Sequence, residues 1–265
     1  MNDLVLGRNC DASSIQRALR PGANGQPVTV DLRSVNWFTP FGIVAVCAFV
    51  ERQRSRGRDV TFLGPSDPSR ANYLARMRLD QRLEEMGVAH GLRGVREHAN
   101  AGLLELRAFS SDDEVEEFAI RIYDLVSPQS PSAAKALHRF LSEAGQNVAP
   151  HSGGVNGFMA AQQVGRNLRF AVGDGGKGFF NNLESFGATS DREALSLALV
   201  DGVSSTGKSG RGRGIRSTAR VVQEANGHMI IASGHASITQ TVQRTSHMSF
   251  ARKFRGAVIE GVVPI

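Results

Sequence analysis

Hydrophobic and polar positions change rhythm several times along the chain, and each change predicts an element. Residues 28–33 (Val-Thr-Val-Asp-Leu-Arg) alternate with the two-residue period of a strand that has one buried face. Thr39-Pro40 predicts a helix start, with Thr39 as N-cap and Pro40 in the first position, where a backbone N–H would be unpaired anyway. The apolar run through Val50 predicts a buried helix, brought to an end by the charged stretch after Glu51 and by Gly57. Asp59–Leu63 reads as a second strand, Gly64–Pro68 as a loop and residues 69–86 as one helix. This strand-helix-strand-helix order implies a small α/β layer.

Residues 87–100 interrupt the rhythm and mark the expected boundary between a first unit, residues 1–95, and a second, residues 101–265. The second unit opens with a strand over 102–109. Ser110–Glu114 then caps a helix: side-chain oxygens meet free backbone N–H groups, and the acids suit the positive helix end. Val115, Phe118, Ala119, Ile122 and Val126 form its apolar stripe. Ser130-Pro131 opens another helix, with Ala134, Leu137, Phe140, Leu141 and Ala144 on the buried face. Leu168–Val172 reads as a strand, and residues 215–225 as a helix. The predicted fold class is therefore mixed α/β (α+β).

With 41% hydrophobic residues in 265, the chain can build a packed core, which excludes a disordered chain as the starting point. Gly42–Val50, the longest apolar run, is far short of a membrane span, and the opening residues predict no secretory signal, so a cytoplasmic location is expected. Two cysteines, Cys10 and Cys47, make neither a disulfide framework nor a metal site, and Cys47 reads as a core residue. A net charge of +6, with basic clusters at Arg52–Arg58 and Lys208–Arg220, favours anionic partners. The scarcity of aromatics, 6% of residues, argues against a surface that stacks nucleic-acid bases.

Three separated motifs carry candidate chemistry. Glu143 and Asn147 lie at i and i+4 and project from one helix face. An Asn oxygen suits a magnesium ion whose shell is mostly water and phosphate, and a Glu one turn earlier can take a proton from a water or a hydroxyl. The alternative is a polar helix face ending at Pro150. Asp174-Gly-Gly-Lys-Gly178 follows a strand; Asp174 can accept from an exocyclic amine while glycines allow a flat base or a phosphate to approach. The alternative is an ordinary tight turn. Gly202–Ser209 formally matches a phosphate-binding loop, but Gly210-Arg-Gly-Arg-Gly214 disfavours the helix that such a loop must enter. The same stretch, 201–214, otherwise serves as a lid over phosphates, with Lys208, Arg211 and Arg213 supplying charge, or as a solvated basic loop.

Residues 101–265 resemble the ATP-binding domain of the gyrase, histidine kinase and MutL superfamily. Glu143 and Asn147 match its E-x-x-x-N box; Asp174, Gly176 and Gly178 its D-x-G-x-G box; Gly210, Gly212 and Gly214 its late glycine box. The resemblance implies Mg-ATP bound between a mixed sheet and helices, with Asn147 on Mg²⁺, Glu143 as base, Asp174 on adenine, and Lys208, Arg211, Arg213 and Ile215 in or beside the lid. With His151 after the first box, the chain is similar to anti-sigma-factor serine kinases, which implies phosphoryl transfer to Ser or Thr of a regulatory partner protein, and a possible homodimer. Two departures stand out. Pro150 is expected to break the helix before His151, and Arg255-Gly-Ala257 replaces the Gly-Thr common in relatives. Residues 28–64, especially Val35–Ile43, are similar to the STAS fold of anti-sigma-factor antagonists, but Pro40 stands where those carry a phosphorylatable Ser, flanked by Thr39. The rival functions are an ATPase or ATP-sensing switch without a protein substrate, and an interaction module with a degenerate nucleotide site.

Overall fold

The computed structural model describes residues 2–23, 25–93, 103–151, 156–200 and 214–265. Two sheets enclose one buried helix. In the first half, β1 (Asn2–Val5), β3 (Leu19–Pro21), β4 (Val28–Asp31) and β6 (Val60–Leu63) form a sheet in the order β3-β1-β4-β6. β1–β4 and β4–β6 are parallel and β1–β3 is antiparallel, while β2 (Asn9–Cys10) and β5 (Trp37–Phe38) pair separately. The alternation at 28–33 is realised in β4, where Val28 and Val30 are buried.

Helix α1 (Pro40–Arg54) begins as its sequence requires: the Thr39 hydroxyl accepts the Gly42 N–H at 3.3 Å and Pro40 occupies the first turn. Thr39 is itself buried. Every residue of α1 from Pro40 to Glu51 is buried, so the helix has no polar face. That pattern demands apolar cover all round, and the second sheet supplies what the first cannot.

After β6 the chain forms α2 (Pro68–Arg76) and α3 (Leu79–Glu85), two helices where residues 69–86 predict one. The break is at Met77-Arg78, where Arg78 adopts a left-handed conformation (φ 62°). Apolar periodicity does not register this, because Met77 and Leu79 are both fully buried. The break frees the Met77 carbonyl, which accepts the Leu106 N–H at 3.0 Å from the next strand.

The second sheet is antiparallel, in the order β10-β11-β9-β8-β7, built from β7 (Leu103–Phe109), β8 (Gly157–Val164), β9 (Asn167–Asp174), β10 (His228–Thr241) and β11 (Thr245–Pro264). Between β7 and β8 run α4 (Asp112–Val126) and α5 (Pro131–His151). The Ser111–Glu114 capping box forms, and the apolar stripes of both helices are buried. Contrary to expectation, α5 continues through Pro150 to His151. A proline one residue from the end removes a single last-turn hydrogen bond and cannot stop the turns before it. α6 (Gly178–Leu183), a short 3₁₀ turn and α7 (Asp191–Ala198) follow β9, and α8 (Gly214–Glu224) leads into β10. The fold class is mixed α+β, as predicted. Among the described residues, no helix is long and apolar enough to cross a membrane.

One face of the second sheet packs against α4, α5 and α8 through Phe140, Phe170, Val172 and Ile231. On the opposite face, Phe158, Ala160, Ala171, Ala232 and Val258 join α1 and the first sheet in one continuous cluster. Glu260 of β11 is buried in this region, facing the α1 N-terminus, where the Phe41 N–H and the Thr39 hydroxyl favour its charged form, as does Arg169, 3.6 Å away. Burial outweighs them and pushes its carboxyl up to about 7.

Because that value lies above the ordinary one of 4.5, the folded chain keeps a proton that the unfolded chain has released. Stability should therefore fall as pH rises between about 4.5 and about 7. Thermal melts across that window should show the decline, and Glu260→Gln should reduce its slope, the remainder coming from Asp174, whose carboxyl burial raises in the same sense; an unchanged slope in the variant would remove Glu260 as a source.

Candidate functional site

The connections of the second sheet bring distant motifs to one end of it. Phe109 pairs with Gly157, and Gly157 with Asp174, so β7 ends beside the end of β9. The chain turns there directly into α4, and α5 returns antiparallel, with Gly145 against Val115 in the first turn of α4. The half of α5 carrying Glu143 and Asn147 consequently lies at the Asp174 end. α8 arrives there independently. It enters β10 at His228, which pairs with Val262 near the opposite end, so its first residues, Gly214 and Ile215, point back toward Asp174. Phe140 stacked edge-on against Phe170, with ring centroids 4.6 Å apart, fixes α5 over the sheet.

At this end four adjacent strands contribute a row of laterally paired residues, Gly157, Asp174, Ala257 and Ser233. Alternation along β9 puts Asp174 on the same face as Phe170 and Val172, the face that α5 and α8 cover. The row is therefore a floor of small side chains with one ionisable group. Asp174 is 5% exposed, and its Oδ1 accepts the Gly176 N–H at 2.7 Å. Burial raises its carboxyl to about 7; the Gly176 hydrogen bond and Arg52 oppose that rise, while Glu51 adds to it.

The turn after Asp174 is held from behind by α1. Arg52 donates to the carbonyls of Gly175 and Gly176, the latter at 2.7 Å. A Cβ on Gly175 would lie 2.3 Å from the Ala48 carbonyl oxygen, so only glycine permits this approach. Glu51, the neighbour of Arg52, accepts the Asn156 side chain at 2.6 Å and its backbone N–H at 3.1 Å, anchoring the entry to β8. On the far side, the buried Ser233 hydroxyl donates to the Gly256 carbonyl at 2.8 Å and accepts the Phe179 N–H at 3.1 Å, which fixes Gly178 at the start of α6. Ser233 lies directly across from Ala257 and supplies a hydroxyl in the row where Ala257 lacks one.

Of the residues read from the sequence, Glu143 is half-buried on α5 and pairs with Arg139 at 2.9 Å, and Asn147 lies in the next turn of the same helix. Asp174, Gly176 and Gly178 form the turn just described, and Ile215 is buried in the first turn of α8. Lys208, Gly210, Arg211, Gly212 and Arg213 lie outside the described residues. The phosphate-loop alternative at 202–209 lacks its leading strand, because the described element before it is α7. Arg52, Glu51, Asn156 and Ser233 are not legible in the sequence as site residues. Their partners are 23 to 124 positions away, and only the basic cluster after Glu51 hints at a role.

No protein-family model matches the sequence, and no curated protein is significantly similar to it. Replacing Ser233 by Ala leaves the Phe179 N–H and the Gly256 carbonyl without that partner, and should cost roughly 1–3 kcal/mol in urea unfolding. A neutral result would mean that the turn into α6 is held without Ser233.

Proposed function

We propose that this chain is a cytoplasmic Mg-ATP-binding regulatory protein of the gyrase, histidine kinase and MutL type, fused to a STAS-like unit, and that it transfers the γ-phosphate to a Ser or Thr of a partner protein. The observation that carries the reading is the convergence of three segments, far apart in sequence, on one end of one sheet: the Glu143–Asn147 half of α5, the Asp174 turn and the start of α8. Coincidental Asp-Gly turns and polar helix faces have no reason to meet.

On this reading the Asp174 carboxylate accepts from the adenine amine above the floor of small side chains, and the glycines beside it leave room for the flat ring. The free N–H groups at the start of α8 face the phosphates, joined by the side chains of Lys208, Arg211 and Arg213. Magnesium, held by Asn147 and the phosphate oxygens, would neutralise charge on the transferring group. Glu143 takes the proton of the acceptor hydroxyl. The residues present suit these tasks: one carboxylate in a small-residue floor, a helix N-terminus, and a Glu–Asn pair one turn apart.

A second reading, an ATP-sensing switch without phosphoryl transfer, draws on the Arg139–Glu143 pair, which occupies the candidate base. In a transferring enzyme Glu143 has to leave Arg139 when the acceptor arrives.

Calorimetric titration with ATP and Mg²⁺ should show binding that Asp174→Asn weakens at least about tenfold, the scale of one charged hydrogen bond. Affinity should also fall as pH drops below about 7, because protonated Asp174 cannot accept from the amine with a charged oxygen. Absence of binding by the unaltered chain would leave an interaction module. In the Glu143→Ala variant, transfer of labelled γ-phosphate should drop by about 10²–10⁴ with affinity nearly kept. Label released only as free phosphate would favour the switch.

A further inference from the structure

On the α1 side of the second sheet, away from α5 and α8, lies a cavity of about 170 Å³ whose lining is basic to an unusual degree. Five of its eight lining residues are cationic and none is acidic: Arg52 from the last turn of α1, Arg56 and Arg58 from the segment after it, and Lys253 and Arg255 from β11. The negative end of a helix accounts for cations in its last turn, hence for Arg52. It does not account for cations contributed by a strand across the cavity.

Local structure aims these side chains. Between Phe254 and Ala257, β11 carries two residues that pair with nothing on β10, so Arg255 and Gly256 form a bulge. Gly256 has φ +108° there, and a Cβ on it would lie 2.0 Å from the Asp174 carbonyl oxygen. Bulges of this kind turn a side chain out of its ordinary alternation. Gln53 orients Arg58 by accepting from its Nη1 at 3.0 Å. Lys253 has one distant acid, Asp191 at 3.6 Å. Among the described residues, the side chains of Arg56 and Arg255 make no ion pair or hydrogen bond.

Gathering like charges around a concavity is unfavourable unless an anion offsets it. Burial first, then the neighbouring Arg56 and Arg255, push the Arg52 guanidinium down to about 10. The cavity is smaller than the roughly 300 Å³ at which pockets for drug-sized ligands begin. It has room for several water volumes of about 30 Å³ each, enough for one phosphate group and too little for a nucleoside.

We infer that this pocket is a binding site for a phosphate group, either inorganic phosphate or the terminal phosphate of a small metabolite, with Arg56 and Arg255 as its principal ligands. Planar guanidinium forks arriving from two sides match a tetrahedral oxyanion. Arg52 belongs both to this pocket and to the Asp174 turn, so occupancy would alter the hold on Gly175 and Gly176. That consequence rests on the ATP reading; the anion site does not.

The test is a titration of the full chain with inorganic phosphate in the absence of nucleotide, at ionic strength held constant with chloride. Saturable binding is expected, weakened about tenfold by Arg56→Ala and similarly by Arg255→Ala, the size of one charge-assisted hydrogen bond. Both side chains are exposed and without partners, so melting temperatures should stay close to that of the parent. Arg244→Ala, which removes an exposed charge elsewhere, should leave the affinity unchanged. A parallel titration with glucose 6-phosphate identifies the source: tighter binding than inorganic phosphate indicates a metabolite, weaker binding the free ion. No saturable binding, or equal losses in all three variants, overturns the site. Failed ATP binding with intact phosphate binding would remove the nucleotide reading alone.

Discussion

The burial of α1 between two sheets is the constraint on which the rest of the molecule depends. Its apolar run has no polar side, so the four-stranded sheet alone would leave half of it wet. Phe158, Ala160, Ala171 and Val258 of the second sheet close that half. The small residues among them let the helix approach closely. Polar contacts then fix it at both ends, with buried Glu260 facing its first turn and Arg52 holding two carbonyls of the Asp174 turn near its last. A helix that needs both sheets for cover makes the halves of the chain one cooperative object, whatever their separate histories.

The same arrangement explains why the candidate site has its particular electrostatics. Asp174 sits at a strand end where water would ordinarily reach it, yet it is 5% exposed, with α1 packed behind the turn that follows it. Two neighbours from α1 act on it in opposite senses, Glu51 raising its carboxyl and Arg52 lowering it. The balance depends on where α1 lies. A carboxyl poised near neutrality is a sensitive detector of such shifts, because a small change in either distance alters its charge.

Much of this is legible in the sequence wherever the signal is local. The Thr39-Pro40 start, the Ser111–Glu114 capping box and the stripes of α4 and α5 are written within a few residues of where they act, and each forms. Pro150 misleads because a proline's effect depends on its distance from the helix end, which the sequence does not mark. The single helix predicted over 69–86 fails for another reason. Its break serves a hydrogen bond to Leu106, about thirty residues later, and buried apolar residues on both sides keep the periodicity intact. Glu143, Asn147 and Asp174 are readable as separate motifs, but that their elements share one end of the sheet follows from strand pairing alone. Arg52 and Ser233 have no local signature, since what matters about each is a carbonyl or N–H supplied from elsewhere in the fold.

Arg52 is where site and cavity meet. It follows Glu51 in the last turn of α1, and faces a cavity of like charges on one side and the Gly175-Gly176 carbonyls on the other. Two neutral carbonyls accept from its Nη1 but do not neutralise its charge, and Arg56 and Arg255 add to the excess. An anion in the cavity would draw on the same guanidinium whose Nη1 donates to the carbonyls, while relieving the repulsion. The turn beside Asp174 would then rest on the Gly176 N–H bond to the Asp174 carboxylate, with Ser233 holding the entry to α6. The cavity and the Asp174 turn share a single guanidinium, so an anion in the first would act on the second with no movement of the sheet between them.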